Sequence, residues 1–228
     1  RGTLLMNTPL GPSLGGHRFQ VLGTRLVGST AFWGKGVAKS IGCDPHDVLI
    51  ASTGVIGRPY PMDRIRAGLS TIPSNINGTD AESVARGIMT TDTVHKIAEA
   101  TVAGSSARIV GVAKGVGMIE PNMATLITMM FTDADIEPKK LDAIFRRVMN
   151  RTFNCVSVDT DTSTSDTAVI LASGAAGNVA DDAFESALHE VALSLTKQVA
   201  RDGEGAGGAV PDRERYASGV AALPRTVK

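Results

Sequence analysis

The sequence predicts an α/β protein of the α+β sandwich type, with helices packed on a mixed β-sheet, and three observations carry that prediction. Short β-branched and apolar runs at 47–52, 108–113, 125–131 and 168–171 have the length and composition of strands. Segments between and after them place apolar residues at helical spacing. Apolar residues make up 43% of the chain and aromatic ones only 4%, so aliphatic side chains must fill the core. No regular βαβ rhythm fixes parallel pairing, which leaves α+β and α/β both open.

Residues 47–52 predict a short buried strand running into a glycine-bearing loop, then a helix over 61–69 with Pro61 near its first turn. Thr79 and Glu82 have capping-box spacing, and Val84 and Ile88 suit a helix that ends before Thr90. Strands at 108–113 and 125–131 flank a loop over 114–124. A helix starts at Pro138, where Leu141, Ile144, Phe145 and Val148 share one face. Val156 and Val158, then 168–171, predict paired strands. A last helix over 182–199 aligns Phe184, Leu188, Val191, Leu195 and Val199, with Asp181 and Asp182 at its positive end.

The chemistry centres on the run from Lys114 to Thr125, which sets an Ala124–Thr125 bond between a glycine-bearing loop and an apolar segment. A threonine hydroxyl is a poor nucleophile unless a base takes its proton, and scission before Thr125 would supply that base as the new α-amine. An α-amine has a reference pKa of about 7.7–8, so a useful fraction is unprotonated near neutrality. An Ala-Thr pair alone carries little weight, because a threonine entering a strand is commonly there for its β-branched shape.

Three further strings resemble the ornithine acetyltransferase family in order and spacing: ASTGVIG at 51–57, NCVSVDTDTSTSDT at 154–167 and DGEGA at 202–206. The resemblance runs over about 37–206. It divides the chain into a divergent N-terminal segment 1–36, a family-like region 37–206 and a polar tail 207–228, and leaves open a fragment with altered ends or a divergent short member. The family's C-terminal asparagine and hydroxyl residue have no counterpart here.

The resemblance implies self-cleavage after Ala124 into 1–124 and 125–228, which stay associated, with a heterotetramer of two such pairs. It implies a cytoplasmic glutamate N-acetyltransferase of arginine biosynthesis, moving acetyl from N-acetylornithine to glutamate through acetyl-Thr125. Thr53 and Gly54 would supply the oxyanion donors. Thr93, Lys114, Thr125 and Glu204 would contact substrate, with Thr90 and Thr91 as neighbours competing with Thr93 for its role. Lys114 would favour a neutral Thr125 amine by like-charge repulsion, and Glu204 would meet the ornithine side-chain ammonium. No metal or other cofactor is expected, with acetyl-CoA left open as an alternative acetyl donor. The competing expectations are a related self-cleaving aminopeptidase and an inactive fragment acting only in assembly.

Composition excludes other classes. Lys plus Arg equal Asp plus Glu at 23 each, which argues against a nucleic-acid partner or electrostatic membrane attachment. No segment reaches the about 18 continuous apolar residues of a membrane span, and 1–36 lacks a signal peptide's apolar region. Cys43 and Cys155, far apart and without metal-ligand spacing, are expected to be buried thiols. The four histidines form no metal pair. Residues 203–208 fit G-x-G-x-x-G only formally, because they follow a helix. The Asp and Thr run holding Asp159, Asp161 and Asp166 suits backbone hydrogen bonding better than a cation loop.

Overall fold

The computed structural model describes residues 3–7, 28–52, 59–72, 80–116, 126–156 and 166–202. Its centre is a four-stranded sheet in the order β3 (Lys96–Thr101), β4 (Arg108–Lys114), β5 (Ile127–Asp135) and β6 (Thr167–Asn178). The first three strands run antiparallel, and β6 lies parallel to β5. Helices against this mixed sheet are the predicted α/β architecture.

A parallel neighbour needs a crossover, and α4 (Pro138–Arg151) supplies it. Pro138 sits where its missing N–H costs nothing, and the Glu137 side chain accepts from the amides of Lys139 and Lys140. The buried stripe is Leu141, Ile144, Phe145, Val148 and Met149. Each such side chain contributes about 1.5–3 kcal/mol when fully buried. The helix α5 (Asp181–Arg201) then covers β3 and β4 with Phe184, Leu188, Val191, Leu195 and Val199, as their spacing predicts.

Beneath α5 the β4 strand carries Gly111. A β-carbon there would stand 2.8 Å from both Leu195 Cδ1 and Val191 Cγ1, so the glycine lets the helix lie close on the sheet. Gly111→Val is expected to cost about 1–3 kcal/mol by overpacking, read as a lower urea midpoint with an unchanged slope.

The opposite face of the sheet is narrower. Val112, Ile127 and Met129 pack there on Ala85 and Ile88 of and after α3 (Ala81–Gly87). Asp80 caps α3, accepting from the Glu82 amide, which places the cap one residue after the expected Thr79; Thr79 itself lies outside the described residues.

Other elements extend or correct the sequence-based picture. A second sheet pairs β1 (Thr3–Asn7) antiparallel with β2 (Val48–Ser52). The helix α1 (Gly28–Ile41) packs by Gly36 against Leu69 of α2 (Met62–Ser70), where an added β-carbon would fall 2.6 Å from a Leu69 methyl. Residues 168–171 pair with β5 rather than with a strand at 156–158. Val156 follows a 3-10 turn and is not in a strand, while Val158 lies outside the described residues. Cys43 is only half-buried and Cys155 is exposed, correcting the buried-thiol expectation, because the 3-10 turn after α4 turns Cys155 outward while its Sγ donates to the Asn150 carbonyl.

Candidate active site

One end of the four-stranded sheet gathers the charged residues. In register, Lys96 faces Ala113, Lys114 faces Ile127, and Ile127 faces Thr167, so one end of each of the four strands stands in a row. The chain leaves this row after β4 and returns at Leu126, whose backbone would lie 3.6 Å from a β-carbon on Gly115. Leu126 is fixed from both sides: its amide donates to Asp166 Oδ1 at 3.0 Å and its carbonyl accepts from the Thr167 amide at 2.9 Å. Thr125 is one peptide bond from this residue.

Thr125, Ala124, Thr53, Gly54 and Glu204 lie outside the described residues, as do Asp159 and Asp161. Lys114 and Thr93 are described. Lys114 ends β4 rather than lying in the following loop, and its side chain is fully buried with Nζ donating to Thr90 Oγ1 at 3.1 Å. A solvated surface role is thereby ruled out for it. Burial lowers its pKa to about 8, against the upward pull of the Asp92 and Asp166 carboxylates and with a further push down from Lys96. Asp166 stands at the exposed rim; partial desolvation raises its carboxyl, opposed by the Leu126 amide and the Lys114 charge.

Sequence reasoning missed the group that organises this end of the sheet. Asp92 is buried, and its Oδ1 accepts from Lys96 Nζ at 2.7 Å and from the Gly115 amide at 2.8 Å while Oδ2 accepts from the Thr90 amide at 3.1 Å. Burial alone would raise its pKa, but these donors outweigh it and hold the carboxyl below its usual value. Lys96, fully buried, also donates to Asp202 Oδ2 at 2.5 Å.

Asp202 closes the far side. It caps the end of α5 and accepts from the Thr93 amide at 3.1 Å and from the Thr93 hydroxyl. Thr93 is therefore held by Asp202, and Thr90 is the threonine that meets Lys114. The available signal was an aspartate beside each singled-out residue, Asp92 next to Thr93 and Asp202 two residues before Glu204. Among the described residues no group of three or more His, Cys, Asp or Glu side chains is arranged to hold a metal ion. None of the described helices is long and apolar enough to cross a membrane.

An ammonium kept dry beside the entry to β5 can repel a second amine and favour its neutral form, and paired carboxylates keep the surrounding backbone fixed. The sheet thus ends in a buried, charged cluster next in sequence to the Met-Ala-Thr segment. The family model described as the ArgJ family matches residues 23–212, and the chain belongs to that family.

Named relatives agree. The arginine biosynthesis bifunctional protein ArgJ 2 of Nostoc sp. is 56% identical over 170 residues, covering 75% of this chain and 43% of that protein. Glutamate N-acetyltransferase Oat2 of Streptomyces clavuligerus is 56% identical over 172 residues, covering 75% and 43%. The arginine biosynthesis bifunctional protein ArgJ of Thermus thermophilus is 52% identical over 169 residues, covering 74% and 43%. The chain spans less than half the length of these curated relatives.

Proposed function

We propose that this chain is the core of a self-processing N-terminal-threonine acetyltransferase acting in arginine biosynthesis in the cytoplasm. The observation that carries this reading is the buried Lys114 ammonium at the strand end next to Leu126, within a chain of the ArgJ family.

Processing begins when Thr125 Oγ attacks the Ala124 carbonyl carbon. The peptide C–N bond breaks as an ester C–O bond forms, the nitrogen becomes the Thr125 α-amine, and water then opens the ester. Antiparallel β4 and β5 lie on either side of the cut, so their shared ladder supports continued association of 1–124 with 125–228. Two such pairs would form the heterotetramer.

In turnover the α-amine takes the Thr125 hydroxyl proton as Oγ attacks the acetyl carbonyl of N-acetylornithine. Ornithine leaves with that proton, and the amine of glutamate then attacks the acetyl ester in the reverse sense. Thr53 Oγ and the Gly54 amide stabilise both tetrahedral oxyanions, about 3–4 kcal/mol for a good donor. Glu204 pairs with the side-chain ammonium of ornithine, and Thr93 contributes a further substrate contact. The double displacement requires no cofactor, and acetyl-CoA is the alternative donor to be assayed beside N-acetylornithine.

Intact mass of the freshly purified chain beside Thr125→Ala tests the first step. The parent is expected as two fragments meeting at Ala124/Thr125, and the variant as one. A soluble, folded parent with a single uncut mass would sink the mechanism.

A further inference from the structure

We propose that Asp92 is the positioning residue for Lys114, fixing that lysine at both its backbone and its tip. The proposal deepens the reading above and rests on it only for what the aimed ammonium is used for.

The geometry is a two-point clamp. One oxygen of Asp92 accepts from the amide of Gly115, the residue next to Lys114, at 2.8 Å, and so holds the last turn of the β4 backbone. The other accepts from the Thr90 amide at 3.1 Å, and the Thr90 hydroxyl in turn receives the Lys114 ammonium at 3.1 Å. Root and tip of one side chain are therefore fixed by one carboxylate, through two partners 25 residues apart in sequence.

The clamp has its own support. Asp92 is kept ionised by Lys96, which is shared with Asp202 at the end of α5. The charged groups acting on Lys114 are thus Asp92 from the segment after α3, Lys96 from β3 and Asp166 from the segment entering β6. Thr90 is its direct hydrogen-bond partner. Gly115 has φ of +152°, which glycine adopts without the strain a side chain would bring, and at this corner its amide is turned to Asp92. Asp92 lies in the same short string as Thr93, yet its part is structural to the lysine and needs no contact with substrate.

The test is to follow the Lys114 side-chain resonance by NMR across pH in the full chain, parent beside Asp92→Asn and Asp202→Asn, a readout that needs no turnover. Asp92→Asn removes the charge and weakens the clamp, so the Lys114 signal is expected to lose its restricted conformation and to broaden or average at every pH, which loss of the charge alone would not do. Asp202→Asn, which touches Lys96 but not Lys114, should leave it nearly in place. A loosened fold would instead move the titration midpoint towards the ordinary lysine value of 10.5.

A Lys114 signal in folded Asp92→Asn as sharp and as restricted as the parent's overturns the proposal, whatever its midpoint. If that variant does not fold, Thr90→Val tests the same clamp from the tip. The Lys114 signal should then lose its restricted conformation and broaden or average, and a signal identical to the parent's overturns the proposal equally. A parent chain that never cleaves would count against the self-processing reading, while the restriction of the Lys114 signal still decides the role of Asp92.

Discussion

Lys96→Met is expected to destabilise the fold by about 3–5 kcal/mol at neutral pH, the cost of leaving buried charge without its partner. Lys96 stands between two carboxylates, Asp92 at 2.7 Å and Asp202 at 2.5 Å, and all three side chains are almost fully withdrawn from water. Methionine fills similar volume with an unbranched apolar chain, so the loss is chiefly electrostatic. Both aspartates would keep backbone amide donors, from Gly115, Thr90 and Thr93, which limits the effect. Two like charges facing across an apolar gap would still favour opening of the α5 end. Urea unfolding should show a lower midpoint, and the deficit should shrink in acid as Asp92, held below its usual value in the parent, takes a proton. A stability within about 1 kcal/mol of the parent at pH 7 would mean that the triad behaves like an exposed pair.

The same triad shows why the fold was more legible than the site. Periodicity found α4 and α5 because their apolar stripes repeat, and it found β4 and β5 because both faces of those strands are covered. It did not find β3, whose Lys96, Ala98, Glu99 and Ala100 have weak strand preference and become a strand through pairing with β4. Nor did it find α1, where Gly28, Gly34 and Gly36 lower helix propensity and Gly36 is used for close approach to α2.

At the site the limit was distance along the chain. Lys114 could be singled out from its motif, but its burial depends on Asp92 and Thr90, about two dozen residues earlier, and the Asp202 contact reaches 106 residues from Lys96. Single-sequence patterns report local spacing and say little about which charges a sheet end brings together. An aspartate among threonines has an ordinary local explanation as a turn residue, and at Asp166 backbone bonding is what the carboxylate does.

Lys114→Met should act in the opposite direction from Lys96→Met, stabilising the fold by about 1–3 kcal/mol at pH 7 while impairing acetyl transfer. Among the described residues the Lys114 ammonium donates to a neutral hydroxyl where Lys96 has two carboxylates in contact, so burial wins and its pKa falls from 10.5 to about 8. Below pH 8 the lysine is charged in both folded and unfolded chains, and the full cost of burying it is present. Between about 8 and 10.5 the unfolded chain binds more protons than the folded one, so the parent gains stability as pH rises. A difference of that size has a ceiling of about 3 kcal/mol at about 1.4 kcal/mol per unit. The variant has no such group, and its advantage should therefore be greatest at or below pH 8 and fade towards pH 10.5, as read from urea midpoints at several pH values. A parent whose stability is flat across that window would show that Lys114 is solvated after all. On the function proposed above, that expected gain gives a reason for a costly charge at this strand end: a methionine would hold the sheet better, but could not act as the cation that favours a neutral amine at Thr125.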